Sequence, residues 1–387
     1  MIARLPILLP VLMMLFVMKS QVHGQDIALR AMTFNLEDVR YHDLMTTDNP
    51  KLSQIAETIQ RLRPNILLIN EIETNQDPNE PTSAELFIRN YLNLVQTAGV
   101  DPIDFNSLTP ATNTGIASGH DLDNSGEITT EIPERATRQT PEQRAYGGDS
   151  FGFGGFPGQY GMAILVDPQL VINRGDVRSF QKFLWKDLPE AQSPTLPDGA
   201  SFYSSRAWNT FRLSSKNFVD VPVQLPNGKV IHCLISHPTP PAFDGPEKRN
   251  KLRNRDEIRL IREYVDGSSF LYDDDGQSGG LPANSSFLIL GDLNADPVDG
   301  SSVGDPIGQF LLSSDRIGKD PIPVSSAEID RLDPADTSMF GLRVDYVLGS
   351  ADITVLTSGI WRYDLLEPDA FPSDHFPVWA DLLIPAR

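Results

Sequence analysis

The sequence predicts an α/β fold, in which a sheet is covered on its outside by helices. Residues 27–34 carry apolar side chains on both faces, as a strand that is buried on two sides does. Apolar residues then recur at helical spacing between Asn49-Pro50, a typical helix start, and Pro64, which ends the run. Residues 65–70 return to a strand, and this strand–helix–strand order is typical of helices that pack on a sheet.

The rest of the chain continues this pattern after one long interruption. Residues 74–160 are unlike a compact core, and we interpret them as an insertion with one or two helices around residues 84–95. Further strands are predicted at 161–166, 208–213, 218–224, 229–236, 286–290, 343–348 and 376–383, and helices at 247–265 and 305–312. Asn227-Gly228 predicts a hairpin between two of the strands. We therefore expect one domain over residues 25–387, with an insertion at about 74–160.

The N-terminus is typical of a secretory signal peptide. Arg4 supplies the positive start, residues 5–18 are mainly apolar, and Val22-His23-Gly24 has the form of an exit to a cleavage site. A membrane anchor is the alternative, although the apolar run is shorter than the roughly 20 residues that a span needs. No later stretch is long enough to span a membrane. We expect residues 1–24 to be removed and the protein to be secreted or periplasmic.

The composition argues against a broad grip on nucleic acid. The chain has 32 basic and 52 acidic residues, a formal charge of −20, and loss of residues 1–24 removes two basic residues and leaves −22. Such a chain repels polyanions at long range, although a local metal site can still hold one phosphate. Cys233 is the only cysteine, so no intrachain disulfide forms, and the absence of CxxC and HExxH motifs argues against a zinc site.

Polar residues that suit metal and phosphate chemistry stand at several predicted strand ends. Asp292 and Asn294 directly follow the buried strand at 286–290, and a simple Asp/Asn turn is the alternative interpretation of this stretch alone. Similar positions are occupied by Asn35, Glu71, His237, Asp345 and the pair Asp374-His375. Carboxylates held with carboxamides suit Mg²⁺, and an Asp beside a His orients the imidazole and stabilises its cation.

In this order the motifs resemble the endonuclease/exonuclease/phosphatase superfamily. They are Phe34-Asn35-Leu36, Asn70-Glu71, Gly291-Asp292-Leu293-Asn294, Val344-Asp345-Tyr346 and Ser373-Asp374-His375. The superfamily includes pancreatic-type deoxyribonucleases, abasic-site endonucleases, neutral sphingomyelinases and inositol polyphosphate 5-phosphatases. The resemblance spans about residues 27–384. It implies a four-layer α/β sandwich, with two mixed β-sheets packed face to face and helices outside, and a divalent-metal phosphodiesterase or phosphatase.

The resemblance also implies which residues bind the metal. Glu71 matches the principal metal-binding residue, with Asn35 beside it, and Asp374 is expected both to assist with the metal and to pair with His375 in catalysis. The expected metal is Mg²⁺ or Mn²⁺. Substrate contacts are expected from Asn35 and from four further residues, for which a solvated or loop role is the alternative: Tyr160, Lys216, Arg249 and Arg253.

The catalytic roles implied by the resemblance concern five further positions. Asp292 and Asn294 match the pair that positions the attacking water and a phosphate oxygen, and Asp345 matches the residue that supports the active-site histidine or a metal. His375 or His237 would donate a proton or hydrogen bond to the phosphoryl group. For His237, a structural strand-end histidine before a proline is the alternative.

Residues 121–128 resemble the first part of an EF-hand-like calcium loop. Asp121, Asp123 and Ser125 occupy its first, third and fifth positions, and Gly126 occupies the sixth. The twelfth position is Ile132, where an acidic ligand is expected, so a complete EF-hand is absent. A structural Ca²⁺ site at the three ligands and a solvated acidic turn both remain open.

Together these observations predict an exported, divalent-metal-dependent phosphoesterase that hydrolyses phosphodiester or phosphomonoester bonds by in-line attack of water. An extracellular endonuclease on DNA or RNA is the first alternative, and a non-catalytic secreted binding protein on the same fold is the second. The expected partner is a phosphoester substrate, nucleic acid included, and no protein partner is inferred. The motifs do not choose among these substrates, because the same fold serves all of them.

Overall fold

Two mixed β-sheets form the centre of the protein in the computed structural model, which describes residues 24–75, 77–362 and 371–386. The expected signal peptide lies outside the described residues, except for Gly24. No helix in the described part of the chain is long and apolar enough to cross a membrane.

The first sheet contains six strands, which are β1 (Ile27–Val39), β2 (Ile66–Ile72), β3 (Asn106–Leu108), β4 (Met162–Val166), β11 (Thr354–Ile360) and β12 (Val378–Ile384). Their order across the sheet is β11-β12-β1-β2-β4-β3. β1 and β2 run parallel, whereas the other neighbours run antiparallel. The carboxyl ends of β1 and β2 therefore meet at one edge of the sheet.

The second sheet also contains six strands, which are β5 (Val171–Ile172), β6 (Arg178–Ser179), β7 (Phe218–Gln224), β8 (Val230–Ser236), β9 (Ser286–Asp292) and β10 (Asp345–Gly349). Their order is β10-β9-β8-β7-β5, and β6 pairs with β7. The predicted hairpin joins β7 to β8, with Gly228 at a φ of +88° in its turn. β8 and β9 are the parallel pair of this sheet.

Helices cover the outer faces of the sheets. They are α1 (Pro50–Leu62), α2 (Ser83–Phe87), α3 (Pro141–Gly148), α4 (Ser205–Trp208) and α5 (Arg249–Val265). The Asn49 side chain caps α1 by accepting from the N–H groups of Lys51 and Leu52, as the sequence predicted. α1 packs against the core that includes the first sheet, and α5 packs against the outer face of the second.

Two hydrophobic cores follow from the alternation of side chains along β8. Ile231, Cys233 and Ile235 point to the core between the sheets, whereas Leu234 points to the core under α5. Because both faces are covered, the strand is mainly apolar, as the sequence suggested, with His232 as a polar exception that pairs with Asp220. The result is an α/β sandwich of helix, sheet, sheet and helix, which agrees with the predicted fold class.

The predicted strand at 208–213 is wrong. This stretch contains the end of α4 and a loop, in which Trp208 and Phe211 pack their rings at 5.2 Å and 5.8 Å from that of Trp185. The apolar residues there fill an aromatic core rather than a sheet. The predicted helix around 84–95 is shorter than expected, because α2 ends at Phe87 and continues as a wider turn over Ile88–Leu92.

Candidate active site

The two parallel strand pairs bring the predicted site residues to one place. Asn35 and Glu71 lie near the ends of β1 and β2, while His237 and Asp292 lie at the ends of β8 and β9. Because β10 runs antiparallel to β9, its first residue, Asp345, lies directly opposite Asp292. The sandwich thus places residues that are more than 250 positions apart side by side.

Hydrogen bonds join the two sheets at this point. The Asn35 amide Nδ2 donates to Asp292 Oδ2 at 3.0 Å and to Glu71 Oε1 at 3.2 Å. The Asp292 N–H donates to Asn70 Oδ1 at 3.3 Å. These bonds hold a carboxylate from each sheet together at the centre of the site.

Gly291 explains why the strand before Asp292 approaches its neighbour so closely. A Cβ atom at this position would lie 2.0 Å from the carbonyl oxygen of Ser236, the residue before His237. A larger residue would therefore push β9 away from β8 and separate Asp292 from His237. The glycine of the Gly-Asp-Leu-Asn motif is a packing requirement of the site.

Asp292 is buried at the centre of what we call the central cluster, defined as Glu71, His237, Asp292, Asp345 and His375. Its Oδ2 atom lies 3.4 Å from His237 Nε2 and 3.7 Å from His375 Nε2. Its Oδ1 atom accepts the N–H of Asn294 at 2.9 Å. Burial raises the pKa of Asp292 to about 6, although His375 and Asn35 act in the opposite direction. The carboxylate is therefore a proton acceptor near neutral pH.

His375 is held as a cation. Its Nδ1 atom lies 2.9 Å from Asp345 Oδ2, and Asp374 Oδ1 lies 3.9 Å from its Nε2. Burial by itself lowers the pKa of His375, but Asp345 and Asp292 outweigh it and raise this pKa well above the ordinary value. The imidazolium can therefore donate a proton or a hydrogen bond from Nε2.

His237 has the opposite character. It is 1% exposed, and neither ring nitrogen makes a hydrogen bond to any residue that the structure describes. Burial, followed by the positive charges of Lys216 and His375, holds the pKa of His237 well below its ordinary value. The ring is therefore a neutral imidazole at physiological pH.

Glu71 and Asn294 have strained backbone conformations. Their φ angles are +61° and +51°, in the left-handed region that residues other than glycine rarely adopt. Such conformations cost on the order of 1–3 kcal/mol and concentrate at functional sites. Burial raises the pKa of Glu71, which Lys216, His375 and the Asn35 amide partly offset.

Lys216 and Tyr160 lie beside the central cluster, as predicted for substrate contacts. The Lys216 ammonium makes no ion pair or hydrogen bond within the described ranges, although the residue is only 6% exposed. Burial lowers the pKa of Lys216, and Glu71 and Asp292 act against that change. Burial beside Asp38 and Glu71 raises the pKa of Tyr160, so its hydroxyl stays protonated. Both groups can donate to an anion.

Arg249 and Arg253 are not brought into the cluster. Arg249 Nη1 donates to Glu247 Oε1 at 2.9 Å, and its guanidinium lies 5.3 Å from the ring centroid of Phe202. Arg253 is buried, and its guanidinium donates to the main-chain carbonyl groups of Leu213, Phe151 and Arg212. These contacts favour a structural role for both residues over the predicted substrate contact.

The predicted metal ligands fit a divalent cation only in part. Oxygen and nitrogen atoms of Glu71, His237 and Asp292 lie within 4.8 Å of one another, a spacing that suits a shared ion. Asn35 presents its NH₂ group to this space, because its carbonyl oxygen accepts the N–H of Glu37 at 2.9 Å. Asp374 stands at the side of His375, with a carboxylate that is 47% exposed.

A sequence model of the Endonuclease/Exonuclease/phosphatase family matches residues 32–375. The chain belongs to this family. It is accordingly a metal-dependent hydrolase of phosphoester bonds, with a phosphoesterase or nuclease type of activity. No curated protein matches the chain significantly.

Solved structures also resemble the chain, at low identity. The catalytic domain of human Nocturnin with bound sulfate is 15% identical, with a TM-score of 0.47 over 92% of this chain and 95% of that one. A mannosyl-6-phosphatase from Bacteroides thetaiotaomicron is 13% identical, with a TM-score of 0.45 over 92% and 99%. A family protein from Beutenbergia cavernae is 15% identical, with a TM-score of 0.48 over 92% and 72%.

Several residues that organise this family site were not assigned a role from the sequence. Ser373 Oγ donates to the Asn35 carbonyl at 2.7 Å and accepts the His375 N–H at 3.1 Å, which ties the histidine turn to β1. Thr337 Oγ1 accepts the N–H groups of Val344 and Asp345. Asn70 belonged to a recognised motif, but its bond to the Asp292 N–H crosses between the sheets and has no local signal.

The acidic loop at 121–128 lies outside the central cluster. Carboxylate oxygens of Asp121, Asp123 and Asp149 lie within 4.8 Å of one another. Asp149 was not predicted, and it takes the place expected for Ser125, whose hydroxyl contacts the main chain of Glu127 instead. The N–H groups of Ser125 and Gly126 donate to Asp121, and those of Leu122 and Thr129 donate to Asp149. The main chain thus already compensates much of the negative charge.

Proposed function

We propose that this family member is an exported phosphoesterase that hydrolyses small or loosely held phosphoesters by in-line attack of water. The observation that carries the proposal is the position of Asp292. Its Oδ2 atom lies 3.4 Å from Nε2 of a neutral histidine and 3.7 Å from Nε2 of a cationic one. An acceptor beside a neutral and a charged imidazole suits a reaction in which a proton leaves water and charge develops on phosphoryl oxygens.

The residues of the central cluster and its neighbours have different roles in the proposed hydrolysis. Asp292 orients the water and accepts its proton, and Asn294 is placed beside it to contact a phosphoryl oxygen. His375, kept cationic by Asp345, donates from Nε2 to the phosphoryl group or the leaving oxygen. Lys216 and Tyr160 donate to the remaining phosphate oxygens. These fixed donors stabilise the charge that develops in the transition state.

A divalent cation, Mg²⁺ or Mn²⁺, would be held at Glu71. Such a cation supplies Lewis-acid stabilisation of the phosphoryl oxygens. Of the residues present, Glu71 and Asp292 fit such a cation, because two carboxylates that are buried so close together need a positive charge to compensate them. Asn35 keeps both carboxylates in place with its NH₂ group, and Asp374 is available from the side of His375.

The charges of the protein support a small substrate over long duplex DNA. The mature chain carries −22, and Arg249 and Arg253 are engaged by other partners, so that only Lys216, of the three basic residues predicted to contact substrate, lies beside the cluster. Each phosphate neutralised on DNA contributes a slope of about −0.9 to log K against log salt. We therefore expect a shallow salt dependence and efficient turnover of small esters.

An activity panel tests this function. Chelated protein would be reloaded with Mg²⁺ or Mn²⁺ and assayed on bis-p-nitrophenyl phosphate, small phosphomonoesters, RNA and duplex DNA across a salt series. Glu71→Gln should lower kcat/KM by about 10²- to 10⁴-fold, while the surface control Glu57→Gln remains at the wild-type level. Duplex cleavage that falls steeply with salt, beside no turnover of any small ester, would instead identify an extracellular endonuclease.

Export is tested separately on the exported fraction. The apolar run and polar exit at residues 1–24 support cleavage near Gly24. Mass spectrometry of the exported protein should show a chain that starts at or near Gln25. An exported chain with Met1 intact would contradict this part of the proposal.

A further inference from the structure

His237 lacks the partners that a buried polar side chain normally has. Both of its ring nitrogens are buried without a hydrogen bond to any described residue, and the residue is 1% exposed. Buried polar groups are hydrogen-bonded in the great majority of cases, and an exception needs an explanation. Nε2 is the ring nitrogen that faces two carboxylates, so the surroundings suggest a partner for this atom.

The spacing around His237 is too wide for hydrogen bonds and suits an ion. Nε2 lies 3.4 Å from Asp292 Oδ2 and 3.9 Å from Glu71 Oε1. Ligands that bind one ion with bonds of about 2.1 Å are separated by about 3.0 Å at right angles, about 3.4 Å at the tetrahedral angle and about 4.2 Å when opposite. The two distances fall within this range.

Asn35 does not provide a third metal ligand beside Glu71 and Asp292. Its carbonyl oxygen is occupied by the Glu37 N–H, and it turns its NH₂ group to Glu71 and Asp292. An NH₂ group cannot bind a cation, because it offers only hydrogen-bond donors. The Nε2 of His237 faces both carboxylates, and it carries a lone pair when the neutral ring is protonated on Nδ1.

We propose that His237 is a nitrogen ligand of the metal site at Glu71 and Asp292, which therefore selects a transition-metal dication such as Mn²⁺ or Co²⁺ over Mg²⁺. Imidazole nitrogen suits these ions, whereas Mg²⁺ prefers oxygen ligands and dehydrates reluctantly. The inference rests on the proposed function in that both use one metal site, but it concerns the identity of the metal and its ligands.

A contact between His237 and the substrate phosphate is the competing role. In that role, loss of the imidazole weakens substrate binding and leaves the affinity for every metal unchanged. As a ligand, His237 instead controls the difference in affinity between Mg²⁺ and the transition metals. Metal binding without substrate therefore separates the two roles.

The experiment measures metal binding to the chelated full-length protein without substrate. Calorimetric titration should show Mn²⁺ and Co²⁺ binding more tightly than Mg²⁺. His237→Gln should weaken Mn²⁺ and Co²⁺ by at least about 10-fold and change Mg²⁺ by less than about 2-fold. The control His232→Gln removes a histidine that pairs with Asp220 at 2.8 Å, and it should leave all affinities unchanged. An equal loss for all three ions, or no loss, would overturn the proposal.

A spectroscopic measurement covers the case in which His237→Gln does not fold. Mn²⁺ bound to the wild-type protein should show electron-spin-echo modulation from a directly bound nitrogen, which persists in His375→Gln. Absence of nitrogen modulation in folded, Mn²⁺-loaded protein would also overturn the proposal. Neither readout needs turnover, so failure of this inference would leave the phosphoesterase proposal standing, and an inactive protein would leave this inference standing.

Discussion

The two histidines beside Asp292 occupy contrasting surroundings. His375 is tied to the protein at several points, with Asp345 on Nδ1, Ser373 on its N–H and the ring of Phe340 at 5.4 Å in an edge-to-face arrangement. His237 is packed just as deeply but has no hydrogen-bond partner for its ring within the described residues. The protein supplies the partners of one histidine ring, and our proposal is that a bound metal supplies the partner of the other.

This difference shows how one fold sets different charge states on two identical side chains. Both rings are buried, which disfavours the charged form. Asp345 lies against His375 and reverses that effect, whereas His237 faces Lys216 and His375, whose charges add to it. The protein therefore places a proton donor at 3.7 Å and a neutral imidazole at 3.4 Å from the same oxygen of Asp292.

The largest effect is expected from removal of the His375 imidazolium, the proton donor beside Asp292. His375→Gln removes the imidazolium and should lower kcat by about 10²- to 10⁴-fold, because general acid catalysis contributes a factor of that size. Metal affinity in calorimetry should remain within about 2-fold of the wild-type value. His232→Gln, which also removes a histidine paired with an aspartate, is the matched control. Wild-type turnover in His375→Gln would contradict the assignment of His375 as the proton donor.

A smaller effect is expected for the unpaired cation near His237. Lys216→Met should raise KM and lower kcat/KM by about 10- to 100-fold, since a hydrogen bond to a charged group is worth about 1.5–3 kcal/mol. The affinity for Mn²⁺ should not fall, because a positive charge is removed from beside the metal site. Lys186→Met, at an exposed lysine that donates to Asn209, serves as the control. Weaker Mn²⁺ binding in Lys216→Met would contradict a role toward substrate alone.

The hydrogen bonds that hold the turn at His375 should contribute to the free energy of unfolding. Ser373→Ala removes the hydroxyl that joins the Asn35 carbonyl to the His375 N–H, and should lower the free energy of unfolding by about 1–3 kcal/mol. Chemical denaturation at a fixed metal concentration measures the change. Ser301→Ala, which removes an exposed bond to the Pro241 carbonyl, should be nearly neutral. Equal stability of the two variants would show that the turn is not held in this way.

The smallest effect is expected at the acidic loop. If Asp121 and Asp123 hold Ca²⁺ with Asp149, saturating calcium should raise the melting temperature by about 2–4 °C through mass action. Asp121→Asn combined with Asp123→Asn should abolish this increment and leave the metal dependence of turnover unchanged. A wild-type melting temperature that does not respond to calcium would contradict a Ca²⁺ site. The loop would then be an acidic turn whose carboxylates are stabilised by main-chain N–H groups alone.

The sequence by itself predicted the α/β class and most of the strands, because apolar runs between turn residues are local signals. β11 was not predicted, since its exposed edge positions interrupt the apolar pattern. The strand predicted at 208–213 failed for the converse reason, because an apolar stretch can serve an aromatic loop core as well as a sheet.

The identity of the site residues was also contained in local motifs, but their charges and partners were not. A motif specifies that Asp374-His375 and Asp292 are present, whereas the register of β9 against β10 decides that Asp345 faces Asp292. For the same reason the sequence did not show that Asn70 accepts a hydrogen bond from the other sheet. It also did not show that the Arg253 guanidinium donates to main-chain carbonyl groups. Burial and charge–charge distances depend on residues far apart in the chain. Only the tertiary structure therefore decided that one histidine is a cation and the other a neutral ring without a hydrogen-bond partner among the described residues.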